Sequence, residues 1–383
     1  MKRAKVRAAE DDHGRSIPDE IMFEIQNRLP PKSLFRFKCV CKAWRSLFQD
    51  ETFMDLYSTR RTNQSKKVDI VVHQDEYYEL YSITNDGGNL NETRLDYFEV
   101  PDEDKIDCTV MPPCKGLFCF RKSKAELNVW NPSTKEIISL DVHKRLRRAE
   151  RMGFGFDIAS KKFKVIGCEK GDSEIQVLTV GEQEWRSVEG GSIQTTQPGI
   201  DQIVYLKGAL YWFTTQLVPK PDSDKVHCEG CKTKRGGQCK ITSFDLANET
   251  FGVVPLPSQD AGFVNLGHRL SQVEGCLCLI GHDYKLLDLW VLTSPGIWIN
   301  RHISLPFDVT VPLDTSIPIR NGEILVQCRK ERCFYLCQYD DTTTQQRQQY
   351  RSLKTTKVTG FTSFPYFVLG MHEDTLVSLK NYM

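Results

Sequence analysis

The residue types best suited to metal chemistry fall in one segment, residues 218–240, which reads "VPKPDSDKVHCEGCKTKRGGQCK". Its Cys-x2-Cys spacing is typical of zinc sites, and four side chains would complete a tetrahedral set: His227, Cys228, Cys231 and Cys239. Adjacent residues such as His227 and Cys228 would be cramped as ligands to one metal, so a loop carrying reduced thiols is favoured. A structural zinc site and a redox-active thiol pair stay open as alternatives, and we expect no cofactor.

A run of cationic residues, "HKRLRRAER" from His143 to Arg151, is the second candidate site. It falls between two strand-like segments, where a loop is expected, and its candidate contact residues are Lys144, Arg145, Arg147 and Arg148. Such a cluster suits an acidic target protein or nucleic acid, and the alternative is a solvated loop. The chain has 51 Lys and Arg against 50 Asp and Glu, a net charge of +1, which argues against nucleic acid as the partner.

The sequence contains no recognisable catalytic motif. The patterns G-x-S-x-G, H-E-x-x-H and a phosphate-binding glycine loop are missing, and "GFGF" from Gly153 lacks the third glycine of a dinucleotide site. No single cysteine stands out as a reactive thiol. We therefore expect a protein that is not itself an enzyme.

Other features bear on the compartment. No apolar run approaches the roughly 20 residues that span a bilayer, and the basic N-terminus is not followed by the apolar core of a secretory signal. We expect a protein of the cytoplasm, the nucleus or both, with no membrane contact. In a reducing compartment, single cysteines inside apolar runs behave as small buried hydrophobes; those expected here are Cys119, Cys168, Cys276, Cys278 and Cys328.

Residues 16–57 have the pattern of a small helical module that follows a charged, disordered tail at residues 1–15. Ile21, Ile25 and Leu29 recur at i, i+4 and i+8, one face of a helix, and "LPP" ends that helix. "KSLFRFKCVC" and "KAWRSLFQD" predict a second and a third helix. A module this small cannot bury so much apolar surface alone, which points to a partner protein.

The remainder of the chain, residues 68–383, repeats one strand type after a linker at residues 58–67. The repeated segments are "GLFCF" from Gly116, "KFKVI" from Lys162, "GALYW" from Gly208, "GCLCL" from Gly275, "GEILV" from Gly322 and "DTLVSL" from Asp374. The starts lie 46, 46, 67, 47 and 52 residues apart, so the third interval holds the insertion at about 218–240. A four-stranded propeller blade repeats every 40–50 residues or so.

The repeat predicts a six-bladed β-propeller that N- and C-terminal strands close together. A strand pair in "VDIVVHQDEYYELYSITNDGGN" would complete the last blade, because the sixth copy lacks its second half. A twisted β-sandwich is the alternative, but it would not give six evenly spaced copies.

The helical module resembles an F-box. The elements that carry the resemblance are Ile17-Pro18, Asp19-Glu20-Ile21, Glu24-Ile25, Arg28-Leu29-Pro30, Lys32-Ser33-Leu34, Arg36-Phe37, Val40-Cys41-Lys42, Trp44 and Phe53. The repeat resembles the plant F-box-associated domain through "VWNPSTKE", "MGFGFDIASKKFKVI", "LKGALYWF", "ITSFDL" and "LDLWVL". One position departs from the F-box pattern: Gln26 stands where an apolar residue is usual.

The resemblance implies a substrate receptor of an SCF-type ubiquitin ligase. The F-box would dock in a groove of the Skp adaptor, and through it join the cullin and RING subunits. The expected adaptor contacts are Ile17, Pro18, Ile21, Ile25, Leu29, Pro30 and Leu34. The β domain would bind a protein target for ubiquitination and proteasomal degradation. Two alternatives stay open: a β domain that binds a small ligand or glycan, and a scaffold that does not lead to degradation.

Overall fold

The structure is a computed structural model of the 383-residue chain. It describes residues 17–48, 50, 52–54, 56–57, 60, 67–74, 77–86, 89–99, 111–148, 151–168, 174–190, 203–217, 237–258, 269–273, 275–283, 286–305, 316–320, 323–328, 333–339, 349–358, 367–372, 375 and 377–382.

Three short helices form the N-terminal module: α1 Asp19–Gln26, α2 Pro31–Phe37 and α3 Lys42–Leu47. Pro31 opens α2 at the first helical position, where a missing N–H costs nothing. The Cys41 sulfur caps α3 by accepting the Trp44 backbone N–H at 3.4 Å. The predicted helical module is confirmed, and residues 52–54 and 56–57 add further helical turns.

The described part of the remainder is almost entirely β-strand. The strands are β1 Lys67–Gln74, β2 Tyr77–Asp86, β3 Asn89–Glu99, β4 Phe118–Arg121, β5 Glu126–Asn131, β6 Glu136–Asp141, β7 Arg151–Asp157, β8 Lys162–Cys168, β9 Glu174–Thr179, β10 Arg186–Glu189, β11 Val204–Leu206, β12 Ala209–Leu217, β13 Gly237–Asp245, β14 Thr250–Val254, β15 Arg269–Val273, β16 Cys276–Asp283, β17 Leu286–Ser294, β18 Ile297–Ser304, β19 Ser316–Arg320, β20 Glu323–Cys328, β21 Cys333–Tyr339, β22 Gln349–Val358 and β23 Phe367–His372.

These strands pair into antiparallel sheets of successive neighbours. Their orders are β23-β1-β2-β3, β4-β5-β6, β10-β9-β8-β7, β11-β12-β13-β14 and an eight-stranded sheet, β15-β16-β17-β18-β22-β21-β20-β19. The large sheet consists of two antiparallel groups of four that meet where residues 302–304 pair in parallel with residues 349–351. The mostly β architecture of propeller type is thus as the sequence predicted.

The same turn chemistry closes three of the hairpins. The side-chain oxygens of Asn131, Asp157 and Asp245 each accept two backbone N–H groups from the residues two and three positions on. Four positions after each of them stands a non-glycine residue with positive φ, the conformation that lets a hairpin bulge close. These residues are Lys135 (62°), Lys161 (59°) and Glu249 (55°).

Consecutive sheets pack face to face through separate apolar cores. Leu127 and Phe163 share one core between the β4–β6 and β7–β10 sheets, and Ile166 and Trp212 share the next. The approach is closest at Gly155, where an added Cβ would lie 2.7 Å from a Leu246 methyl carbon. The glycines of "GFGF" therefore allow the neighbouring sheet to pack closely, because any side chain at these positions would collide with it.

The predicted strand from Asp374 is wrong. Among the described residues after β23, none is in a strand, and Leu379–Tyr382 form a 3-10 turn. Side chains, rather than a strand ladder, bind this segment: Asn131 donates to the Val377 carbonyl at 2.6 Å, and Glu136 accepts the Leu379 N–H at 2.7 Å. The C-terminal strand that pairs with β1 is β23, which begins at Phe367, seven residues before the start of the predicted strand.

Candidate functional site

Helix α1 presents apolar residues on two sides. Phe23 turns inward, and its ring meets the buried Phe53 ring edge-on with centroids 5.2 Å apart. On the other side Ile17 is 45% exposed, Ile21 53% and Ile25 44%. We call these three residues the isoleucine stripe. Since α1 already supplies Phe23 to the core of the module, the stripe is surplus to folding and available to a partner.

The predicted contact residues divide by exposure. Ile17, Pro18, Ile21, Ile25 and Pro30 are exposed, and Leu29 is half-buried. Leu34 is fully buried in the core of the module, packed with Phe48, Phe53 and Tyr57. Its side chain supports the module from within.

Two further exposed apolar side chains of the module are not among the expected adaptor contacts. Val40 is 63% exposed and Leu56 47%. Val40 stands in the turn between α2 and α3, where helical periodicity gives no prediction.

Polar contacts hold the end of α1 against the last helical turns. The Tyr57 hydroxyl donates to the Leu29 carbonyl at 2.9 Å. Arg60 pairs with Glu24 at 2.9 Å, and Arg28 approaches the same carboxylate at 3.5 Å. The hydrogen bond from Arg60 holds the pKa of Glu24 below its usual range. These contacts fix the direction in which the stripe faces.

Gln26 does not share the exposed face. Its side chain is 1% exposed, and among the described residues neither its amide oxygen nor its nitrogen has a hydrogen-bond partner. The neighbouring Asn27 side-chain oxygen is also buried without a partner there. The departure from the F-box pattern at Gln26 therefore bears on the interior of the module.

The cationic run forms a 3-10 turn, Lys144–Arg148, which we call the basic turn. Lys144, Arg145 and Arg147 are exposed, while Leu146 between them is fully buried. Arg145 pairs with Glu174 at 2.9 Å. Arg148 shares the backbone turn.

Two family matches cover nearly all of this architecture. Residues 15–56, which contain the stripe, match the F-box domain. Residues 67–369, which contain the sheets, match the F-box associated beta propeller domain.

The chain belongs to the F-box associated beta propeller family.

Similar proteins occur in Arabidopsis thaliana. This F-box protein is 25% identical over 368 residues to "F-box/kelch-repeat protein At3g23880", a match that covers 84% of the chain and 90% of the relative. It is 25% identical over 318 residues to "F-box protein At3g07870", covering 74% and 70%. Among solved structures, Kluyvelomyces marxianus Hsv2 gives a TM-score of 0.40 at 10% identity, covering 79% of this chain and 81% of that one, which is too loose to support an argument.

The zinc prediction falls mostly outside the described residues of this F-box protein. His227, Cys228 and Cys231 lie outside them, and Cys239 is on β13 opposite Thr215. Strand β13 begins at Gly237, within the last residues of the predicted insertion. In the described part of the chain no three His, Cys, Asp or Glu side chains are grouped to hold a metal.

The cysteines expected to be buried are largely so. Cys119, Cys168 and Cys278 are buried and Cys276 is partly so. Burial raises the pKa of the Cys119 and Cys278 thiols, which keeps them protonated and unreactive. In the described regions of this F-box protein, no helix is long and apolar enough to cross a membrane.

Proposed function

We propose that this F-box protein is the substrate-recognition subunit of an SCF-type cullin-RING ubiquitin ligase. Its F-box docks on a Skp-family adaptor, which links it to the cullin and RING subunits. Its β domain binds a protein target, which is ubiquitinated and degraded by the proteasome. The isoleucine stripe carries the proposal, because it is an apolar helix face that the module does not use for its own core.

The stripe fits a helix-in-groove mode of docking. Fully burying an exposed Ile side chain gains about 1.5–3 kcal/mol, and association has to overcome several kcal/mol of lost freedom. Three half-exposed isoleucines alone give a weak complex, so the flanking Pro18, Leu29 and Pro30 also belong to the proposed contact.

The β domain acts as a rigid platform in this proposal. We propose that the six groups of strands, with the large sheet counted as two, are the blades of a ring, and the pairing of β1 with β23 supports closure at that point. The chain performs no chemistry itself. By holding a target close to the charged conjugating enzyme it raises the effective concentration of the target lysines, in the cytoplasm or the nucleus.

The stripe is tested by adaptor capture with purified proteins. Ile21→Asp and Ile25→Asp place a charge in the proposed groove, and each should weaken capture of the Skp adaptor by at least about tenfold, because a buried charge costs several kcal/mol. Ile137→Asp is the matched control, since Ile137 is 46% exposed on the β domain. Capture that survives both stripe variants, in chains that melt like the wild type, contradicts the docking assignment.

A further inference from the structure

We infer that the basic turn is the part of the target site that recognises an acidic segment of the target protein. The inference rests on the proposed function and names the class of target. It is carried by the way the turn is built and by the balance of charge around it.

The turn is anchored from below. Leu146 is fully buried, and it packs so closely on β8 that a Cβ added at Gly167 would lie 2.9 Å from its methyl carbon. Arg121, itself buried, donates to the Leu146 carbonyl. The Leu146 N–H donates to the His143 carbonyl at 2.8 Å. A ligand therefore meets exposed cations whose backbone is already ordered, which lowers the entropic cost of binding.

A second turn supports the first. The Val142 N–H donates to the Ala125 carbonyl at 2.8 Å, which ties the hairpin turn between β4 and β5 to the start of the basic turn. Lys124 in that hairpin turn is exposed. The cationic surface thus spans two connected turns at one end of the β4–β6 sheet.

The cations are only partly neutralised. Arg145 pairs with Glu174 at 2.9 Å, and Lys122 pairs with Glu126 at 3.1 Å. Lys144 and Arg147 are exposed and have no ion pair within the described regions. These two side chains are the positive charges that an incoming anion can engage.

The arrangement favours a short acidic segment over a nucleic acid. The exposed Asp141 carboxylate ends the strand before the basic turn, where it would repel a continuous polyanion. The chain as a whole has a net charge of only +1. A peptide can place one or two carboxylates or phosphates on Lys144 and Arg147 and direct the rest of its length elsewhere, as in acidic-motif recognition by basic clusters.

Fluorescence anisotropy with the full chain tests the inference. The probe is a fluorescein-labelled peptide of alternating Asp and Gly, titrated at two ionic strengths. The variant Lys144→Gln/Arg147→Gln should weaken binding about fivefold, the size expected when two exposed ion pairs are lost. At the higher salt concentration, the affinities of the variant and the wild type for the peptide should be closer together.

Lys380→Glu is the matched control, because it changes the net charge by the same two units at an exposed lysine of the C-terminal 3-10 turn. It should leave binding within about twofold of the wild type if only local charge matters. Equal losses in both variants, or tighter binding of a single-stranded RNA oligonucleotide than of the peptide, overturn the inference.

A phosphoserine version of the peptide separates the two sources of negative charge. Tighter binding of that version assigns phosphorylated targets, and tighter binding of the Asp version assigns targets that are acidic without modification. Adaptor capture by the same variants should match the wild type. If the chain binds the peptide but captures no adaptor, the proposed function is wrong and the inference on the basic turn still holds. The failure of one can therefore be told from the failure of the other.

Discussion

Gln26 buries an uncharged amide that finds no hydrogen-bond partner in the part of the chain that the structure describes. The side chain is 1% exposed, and both of its polar atoms lack a partner among the described residues. Leaving buried polar groups unpaired costs about 1–3 kcal/mol each, which is a large fraction of the stability of a module of three short helices. The sequence identified Gln26 as a departure from the F-box pattern, but only the packing shows which side of α1 it occupies.

Replacing Gln26 with methionine should stabilise the module. Methionine has nearly the same volume and removes both unpaired groups, so the free energy of unfolding should rise by about 1–2 kcal/mol. The measurement is the rate of limited proteolysis of the intact chain, since cleavage within the module requires the module to open. Glu20→Met, at an exposed position of the same helix, is the control and should change little. Faster cleavage of the Gln26→Met chain would show that the amide has a partner.

At the scale of elements, tryptophan side chains join sheets at two places. The indole N–H of Trp185, just before β10, donates to the Asp141 carbonyl at the end of β6 at 2.8 Å. Trp298 on β18 repeats this contact with the Pro255 carbonyl at 2.9 Å. Trp130, Trp212 and Trp290 are instead buried in the core of the β domain.

A buried ion network joins the β7–β10 sheet to the turn before β14. Lys164 bonds to Asp157 at 2.9 Å and to Glu249 at 3.0 Å, and Arg186 reaches Glu249 at 3.0 Å. Burial alone would raise the pKa of Asp157, but hydrogen bonds from Ser160 and Lys164 outweigh it and lower the value to about 2. The cations thus hold the Asp157 carboxylate ionised inside the protein.

This network predicts acid sensitivity of the β domain. Because the folded pKa of Asp157 lies below its ordinary 3.8, its stabilisation is complete above pH 4 or so and is lost as the pH falls toward 2. The loss amounts to roughly 1–2 kcal/mol. Melting temperatures measured between pH 6 and pH 3 should therefore fall, and Asp157→Asn should melt lower at pH 6 and decline less. A matching change in the exposed Asp141→Asn control would point to a general charge effect.

Helical periodicity placed Ile21, Ile25 and Leu29 on one face of the predicted helix, but α1 ends at Gln26, and the pattern could not say which apolar face would be exposed. Both sides of α1 are apolar, since Phe23 faces the core and the stripe faces outward. Leu34 shows the same limit, because an apolar residue in a short helix suits a core and a partner equally well. The choice depends on the packing of the other helices, which no local pattern contains.

At the scale of the whole molecule, the repeat was predictable because one apolar strand type recurs along the chain at intervals of 46 to 67 residues. Asn131, Asp157 and Asp245 close three of the hairpins in the same way. The segment after β23 broke the rule. "DTLVSL" has the composition of a strand, yet Leu379 enters the core shared by the β4–β6 and β7–β10 sheets. Composition cannot distinguish a strand from an irregular segment that buries an apolar side chain in the core.

Two truncations distinguish the contribution of ring closure by β23 from that of the buried C-terminal turn. A chain that ends at His372 keeps β23 but loses the buried Leu379 and the bonds from Asn131 and Glu136. It should stay folded, and its free energy of unfolding should fall by about 2–4 kcal/mol, because one buried leucine and two or three hydrogen bonds are lost.

A chain that ends at residue 366 also loses the pairing of β23 with β1, leaving that edge of the sheet open. If the ring is closed there, this second chain should lose its cooperative melting transition, because opening a ring exposes the faces of two blades and an unpaired strand edge. Circular dichroism melts of both chains decide the matter: equal, cooperative transitions in the two would reject closure by β1 and β23.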